Sequence, residues 1–141
     1  MEATPATHLA GQIVEALNRR DPDPYLAVVH DDFEGYSAFV EAEGGDAFRG
    51  LEGARAWFEN LLEVYGRVSA SLEQTLAVRD HSLHLVRIEF VGKSSGVAVD
   101  SLVGWVLEAR AGRIAFMHSH LDLAEAFHEM GRRMPPSSSA A

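Results

Sequence analysis

The stretch SLHLVRIEFVGKSSGVAVDSLVGWVLEARAGRIAFMHSHL, residues 82–121, decides the fold. It contains three runs rich in branched and aromatic residues, which is the composition of β-strands: Ser82–Gly92, Val97–Arg110 and Arg113–Leu121. A fourth run, Ser69–Arg79, precedes them. Strands joined by turns this short are antiparallel, because parallel neighbours need a long crossover. The second half of the chain is therefore predicted to be an antiparallel meander.

The first half is predicted to be helical. Apolar residues recur at helical spacing behind Thr7, a typical N-cap residue, as far as Arg20. Prolines then end this helix, and a short second helix is predicted over Tyr25–His30, followed by extended chain over Phe33–Glu43.

The strongest helical pattern follows the turn Arg49-Gly-Leu-Glu-Gly53. Its apolar residues form one wide stripe at positions i, i+3, i+4, i+7, i+8 and i+11: Ala54, Trp57, Phe58, Leu61, Leu62 and Tyr65. A last short helix is predicted from Asp122, as its cap, to Met130. Helices first and a meander afterwards is an α+β order.

Composition narrows the possible partners. The 141 residues are 47% hydrophobic and suit a single domain, predicted over residues 8–131 between a flexible N-terminus (1–7) and a disordered tail (132–141). The formal charge of −9 opposes binding to nucleic acid or to an anionic membrane, and we expect neither partner. The chain has no cysteine and no recognisable secretion signal, so a cytoplasmic location is expected.

Strand parity predicts which side chains share a face. If Gly92 pairs with Gly96 and Arg110 with Arg113, the predicted pocket face contains these residues: His84, Val86, Ile88, Phe90, Asp100, Leu102, Gly104, Val106, Met117, Ser119 and Leu121. The opposite face is also apolar, and we predict that it forms a homodimer through Trp105, Phe116, His118 and His120. A one-residue slip at either turn would exchange the faces.

Residues 8–131 resemble the SnoaL-like branch of the nuclear transport factor 2-like superfamily. The resemblance is carried by the Arg49–Gly53 turn into Trp57-Phe58 and by the ending Gly112-Arg-Ile114, Asp122, Glu125-Ala and Gly131. It implies a curved antiparallel sheet wrapped around three to four helices, forming a cone with an internal pocket and dimerising through the outer sheet face. Relatives include isomerases, cyclases, dehydratases, epoxide hydrolases and ligand binders, so the fold alone does not choose a function.

The resemblance also carries expectations for single residues. The oxyanion-hole aspartate of the ketosteroid isomerases corresponds to Gly104, so that catalytic group is missing here. The acid/base aspartate of the polyketide cyclases corresponds to Asp122, although His118 stands where those cyclases tend to have tryptophan.

Four residues are candidates for acid–base catalysis: Asp100, His84, Asp122 and Tyr36. A carboxylate buried in a strand has a raised pKa, which suits a general base, and histidine titrates near neutral pH. The alternatives are an Asp100 that is hydrated or paired with arginine, a His84 satisfied in the core, and an Asp122 that caps a helix. Six residues are candidates for contact with a ligand: Trp57, Phe58, Tyr65, Leu102, Met117 and Ser119.

Two function hypotheses follow, and a third is weaker. The first is binding of a hydrophobic cyclic molecule, with cofactor-free isomerase, cyclase or dehydratase chemistry as the candidate activity. The second is a ligand-binding or dimerisation module without catalysis, which gains support if Asp100 and His84 lie far apart or if bulky side chains fill the cone. The third is a metal-dependent enzyme using His118, His120 and Asp122, which alternate along one strand.

Overall fold

The structure, a computed structural model, describes residues 5–37, 47–92 and 96–133. Its helices are α1 (Pro5–Arg19), α2 (Asp23–Leu26), α3 (Gly50–Val64) and α4 (Leu123–Arg133). Its strands are β1 (Val29–Ser37), β2 (Phe48–Arg49), β3 (Tyr65–Val78), β4 (His81–Gly92), β5 (Ala98–Arg110) and β6 (Arg113–His120). The predicted α+β class is confirmed.

The strands form one curved, unclosed sheet in the order β2-β1-β6-β5-β4-β3. Strands β3 to β6 form the predicted antiparallel meander, whereas β1 runs parallel to β6, so the sheet is mixed. No short turn constrains the direction of this pair, because most of the chain separates β1 from β6. The pairing of Ser37 with Ser119 brings the end of β1 beside the end of β6.

Helices cover the sheet on both faces. Helices α1, α2 and α3 pack on the face that we call the inner face, and the main apolar core lies between them and the sheet. Helix α4 packs on the opposite, outer face, where a smaller apolar cluster contains Leu83, Val106, Phe116, Ala126 and Met130. Beneath α4, the strands β4, β5 and β6 therefore alternate between two covered faces, whereas the outer-face residues Ser69 and Ser71 of β3 are exposed.

Several element boundaries differ from the predictions. Helix α1 begins at Pro5, inside the segment predicted to be flexible, and α4 continues to Arg133. Helix α2 ends at Leu26, and β1 starts at Val29, which is fully buried. The remainder of the predicted extended segment, 38–43, and of the predicted tail, 134–141, lies outside the described residues.

The predicted register is wrong by one residue between β4 and β5. Val91 pairs with Ala98, so Asp100 lies opposite Glu89 rather than Ile88. The connection is one residue longer than predicted, and a strand's faces alternate with period two, so every side chain of β5 changes face. An extra residue in β6, Ala115, then forms a bulge opposite the step from Glu108 to Ala109 and restores the predicted faces of Met117 and Ser119.

The edge strand β3 is held by α1. The Asn18 side chain donates to the Ala70 carbonyl at 2.9 Å and accepts from the Ala70 N–H at 2.7 Å. Because β4 occupies the other side of β3, these two bonds satisfy backbone groups at the open edge of the sheet.

None of the helices in the described part of the chain is long and apolar enough to cross a membrane.

Candidate functional site

A row of side chains crosses the inner face where β1 and β6 end. Successive strand partners place five residues in this row, from one edge to the other: Thr75, His84, Trp105, Ser119 and Ser37. Trp105, His84 and Ser37 are almost completely buried. The inner face therefore presents an aromatic ring between hydroxyl and imidazole groups.

His84 is fully hydrogen-bonded within this row. Its Nδ1 lies 2.8 Å from Thr75 Oγ1, and its Nε2 lies 2.8 Å from Ser82 Oγ. Burial disfavours the charged imidazolium and lowers the pKa of His84 to about 4. At neutral pH His84 is therefore an uncharged group whose two nitrogens already have partners.

Four aromatic rings fill the space between the helices and the inner face. Tyr25 packs against Phe33, Trp57 and Phe58, with ring centroids 6.3, 5.6 and 5.8 Å away. All four rings are at most 1% exposed. Bulky side chains thus occupy much of the interior of the cone.

Three buried polar atoms in this interior have no hydrogen-bond partner among the described residues: Tyr25 Oη, Trp57 Nε1 and Ser37 Oγ. The Trp57 Cδ1 atom, next to Nε1, lies 3.7 Å from the point where a Cβ on Gly35 would stand. Gly35 and Ser37 share the inner face of β1, so the Trp57 ring meets this face about 7 Å along the strand from the polar row. Burial raises the pKa of Tyr25, which keeps its hydroxyl protonated.

The predicted ligand-contact residues are divided between the two faces. Trp57 and Phe58 belong to the aromatic interior, and Met117 and Ser119 lie on the inner face. Leu102 lies on the outer face, because it pairs with Arg87 and shares the register error of β5. The side chain of Tyr65 is outside the part of the chain that the structure describes in detail.

Asp100 does not share a face with His84, contrary to the prediction. It lies on the outer face, more than half exposed, with Oδ1 2.9 Å from Arg87 Nη1. Along β4 its partner Glu89 is five residues from His84, about 17 Å at strand rise. Asp100 and Glu89 instead line an open groove of about 410 Å³ at the far end of the outer face.

Asp122 and Tyr36 also lie away from the inner row. Asp122 is exposed and accepts hydrogen bonds from the Ala124 and Glu125 N–H groups at 2.8 and 3.4 Å, so it caps α4. Tyr36 is on the outer face, where its hydroxyl donates to the Glu34 carboxylate. The four predicted catalytic residues are therefore not brought together.

The densest polar cluster of the described chain lies on the outer face beneath α4. Both carboxylate oxygens of Glu129 in α4 face the histidines: Oε1 lies 2.6 Å from His120 Nε2, and Oε2 lies 3.1 Å from His118 Nδ1. His118 Nδ1 is also 2.9 Å from Oε1. Arg133 Nε binds Oε2 at 3.2 Å, and the Tyr36 ring lies 5.5 Å from that of His118. Burial alone would raise the pKa of Glu129, but the bonds from His118, His120 and Arg133 hold it far below its usual range.

The structure also explains why residue 104 is a glycine. A Cβ at this position would stand 2.6 Å from the Ala126 Cβ of α4, so glycine permits the helix to approach the outer face. Gly104 does not face the interior, and its lack of a carboxylate says nothing about the inner row. The four residues predicted to form a dimer are covered within the chain: Phe116, His118 and His120 lie under α4, and Trp105 is on the inner face.

Glu129 was missed at the level of sequence. The signal available was the spacing of Ala126, Glu129, Met130 and Arg133, which puts one carboxylate on the buried stripe of a short helix. The two histidines alternating along β6 are possible ligands by their spacing, but the local sequence pairs them with Asp122 and not with Glu129.

An open, curved sheet with an aromatic interior and helices on its inner face defines the class of α+β cone proteins. Within that class, the chain belongs to the SnoaL-like domain family, whose pattern matches residues 10–117. No curated protein matches the sequence.

Solved structures show the same fold at low identity. TerC, co-crystallised with polyporic acid, has a TM-score of 0.73 and 19% identity, covering 90% of this chain and 98% of that one. A putative SnoaL-like polyketide cyclase from Jannaschia sp. CCS1 has a TM-score of 0.68 and 16% identity, covering 96% and 99%. A Mycobacterium tuberculosis protein in complex with estradiol-17beta-hemisuccinate has a TM-score of 0.68 and 19% identity, covering 86% and 97%.

Proposed function

We propose that this protein binds a small, largely apolar ring compound at the inner face, next to Tyr25, Trp57 and Ser37. The observation that carries the proposal is the group of three buried polar atoms without partners inside an aromatic interior. An unsatisfied buried polar group costs about 1–3 kcal/mol, and proteins seldom keep one without a reason. A ligand carrying oxygen atoms would offer such a group the partner that it lacks.

The chemistry of the inner row restricts the ligand. The indole N–H is a donor only, and hydroxyl groups can donate, so a matching ligand offers carbonyl or hydroxyl oxygens. His84 is neutral, so it offers a ligand hydrogen bonds and no positive charge. Complexes of structural neighbours with polyporic acid and with estradiol-17beta-hemisuccinate support a small-molecule ligand.

Tryptophan fluorescence provides the test, because Trp57 and Trp105 both lie at the inner face. Polyporic acid and estradiol-17beta-hemisuccinate are titrated separately into the protein. We expect saturable quenching by at least one of them, accompanied by a change in near-ultraviolet circular dichroism as the packed rings move. Ser37→Ala and Trp57→Phe each remove one polar atom while keeping most of the apolar volume, and each should weaken binding about tenfold.

Tyr36→Phe is the matched control, since it removes one hydroxyl from the outer face instead. It should leave the affinity unchanged. Binding that is insensitive to Ser37→Ala and Trp57→Phe, or the absence of saturable quenching with either compound, would contradict the proposal.

A reaction at the same face is the second candidate, an isomerisation, cyclisation or dehydration with His84 as proton acceptor. The observation in its favour is the position of an imidazole in the polar row, and one of the bonds to Thr75 or Ser82 would have to open. Protein-dependent exchange of ligand C–H for deuterium in D₂O, abolished by His84→Gln, would support catalysis. Binding without exchange would favour a carrier.

A further inference from the structure

The outer-face cluster has the chemistry of a metal site. Two imidazole nitrogens and one carboxylate oxygen, from His118, His120 and Glu129, lie within 4.8 Å of one another. Two imidazoles and a carboxylate, with a further position open to water, form a common ligand set for Zn²⁺. The two histidines project from one face of β6 because they are two residues apart, and the facing helix supplies the carboxylate.

The distances between these atoms are close to what a metal needs. A tetrahedral ion with bonds of about 2.1 Å holds its ligand atoms about 3.4 Å apart. Glu129 Oε1 lies 2.9 Å from His118 Nδ1 and 2.6 Å from His120 Nε2. Rotations of the three side chains that lengthen these two distances by about 0.5 and 0.8 Å would admit the ion.

Neighbouring groups hold the carboxylate in a suitable orientation. Arg133 Nε binds Oε2 of Glu129 at 3.2 Å, while Oε1 lies 2.9 Å from His118 Nδ1 and 2.6 Å from His120 Nε2. The Arg133 guanidinium is itself fixed over the Phe116 ring, 3.5 Å from its centroid. Hydrogen bonds of this kind to metal-binding carboxylates orient them and tune affinity.

The site is enclosed but accessible. The side chains of His118, His120 and Glu129 are 15%, 10% and 7% exposed, so an ion can reach them while most of the solvent is excluded. Asp122, the carboxylate expected from the sequence, does not take part, because it caps α4.

We propose that His118, His120 and Glu129 bind one divalent transition-metal ion, Zn²⁺ in the first instance, between β6 and α4. The ion joins a strand of the sheet to the C-terminal helix, so it fastens α4 onto the outer face. This site lies across the sheet from the proposed ligand site, and neither proposal depends on the other.

Isothermal titration of Zn²⁺ into tag-free, chelator-treated protein tests the proposal. We expect one ion per chain and a rise in Tm, because an ion that binds only the folded state stabilises it. His118→Gln and Glu129→Gln should each weaken Zn²⁺ binding by at least about tenfold. His128→Gln, which alters an exposed histidine of the same helix, should bind Zn²⁺ as the wild type does.

Co²⁺ gives a second measurement that does not depend on a variant folding. Wild-type protein with Co²⁺ should show the visible absorption of a tetrahedral site, and added Zn²⁺ should remove it. Zn²⁺ binding that is equally strong in the wild type, His118→Gln and Glu129→Gln would overturn the proposal. Wild-type protein with no rise in Tm and no visible Co²⁺ absorption would overturn it as well.

Discussion

The two faces of the sheet carry different chemistry. The inner face holds neutral groups: aromatic rings, hydroxyls and the uncharged His84. The outer face holds charge, in the Glu129 cluster and in the pair of Asp100 with Arg87. Because strand side chains alternate between faces, one sheet keeps an apolar interior a single residue away from ionised groups. A charged residue in the sequence of β5 or β6 is therefore no guide to the chemistry of the interior.

Removing the ring of Trp105 should produce the largest loss of stability, because it leaves a cavity at the centre of the inner row. Trp105→Ala is expected to lower the free energy of unfolding by about 3–5 kcal/mol, measured by urea denaturation. Leu121→Ala, at a position 50% exposed, should change it by less than about 0.5 kcal/mol. Equal costs for the two variants would mean that Trp105 is not buried between the sheet and the helices.

Acid should destabilise the inner face through His84. Its pKa is about 4 in the folded protein against 6.5 unfolded, so between these values the unfolded chain binds the proton and the folded one does not. Stability is then unaffected by His84 above pH 6.5 and falls as pH drops from 6.5 to 4, by about 3 kcal/mol in total.

Urea denaturation at several pH values in this window measures that slope. His84→Gln should flatten it relative to the wild type, since glutamine does not titrate. If the variant keeps the full slope, the loss of stability originates elsewhere, and His84 is not the buried neutral group of this row.

A smaller effect is expected where α4 meets the outer face. Gly104→Ala puts a methyl group 2.6 Å from the Ala126 Cβ and should cost about 1–3 kcal/mol of stability. In an Ala126→Gly background the same substitution should cost less, because the clashing carbon is gone. A double-mutant cycle with no coupling energy would show that Gly104 and Ala126 do not touch.

The smallest loss of stability is predicted for substitution of Asp100, which the sequence indicates as a candidate base. Asp100→Asn removes an exposed ion pair with Arg87 and should cost no more than about 1 kcal/mol. The Asp100→Asn variant should bind the ligand that quenches tryptophan fluorescence with the same affinity as the wild type. A large loss of affinity would return Asp100 to the binding site and contradict the separation of the two faces.

The fold was more predictable from sequence than the site, for a physical reason. Strands and helices follow from local periodicity, and the apolar stripe containing Trp57 and Phe58 predicted α3 correctly. The face on which a strand residue lies is harder to predict. A register shift of one residue between β4 and β5 places Asp100 and Trp105 on the faces opposite those predicted.

No local sequence pattern predicts the bulge at Ala115. It reversed the error of the preceding turn, so Met117 and Ser119 lie on the predicted face although the predicted pairing is wrong. The Glu129 cluster was not predicted because its residues are far apart in the sequence. Only the docking of α4 on the sheet brings its carboxylate to His118 and His120.

The Asn18 side chain at the edge of the sheet has a consequence for the behaviour of many molecules together. A free edge strand is a template on which another chain can add a strand and begin a fibre. The Asn18 amide occupies the N–H and C=O of Ala70, two of the backbone groups such an incoming strand would need. A single amide thus blocks the pairing of an incoming strand at Ala70 of β3.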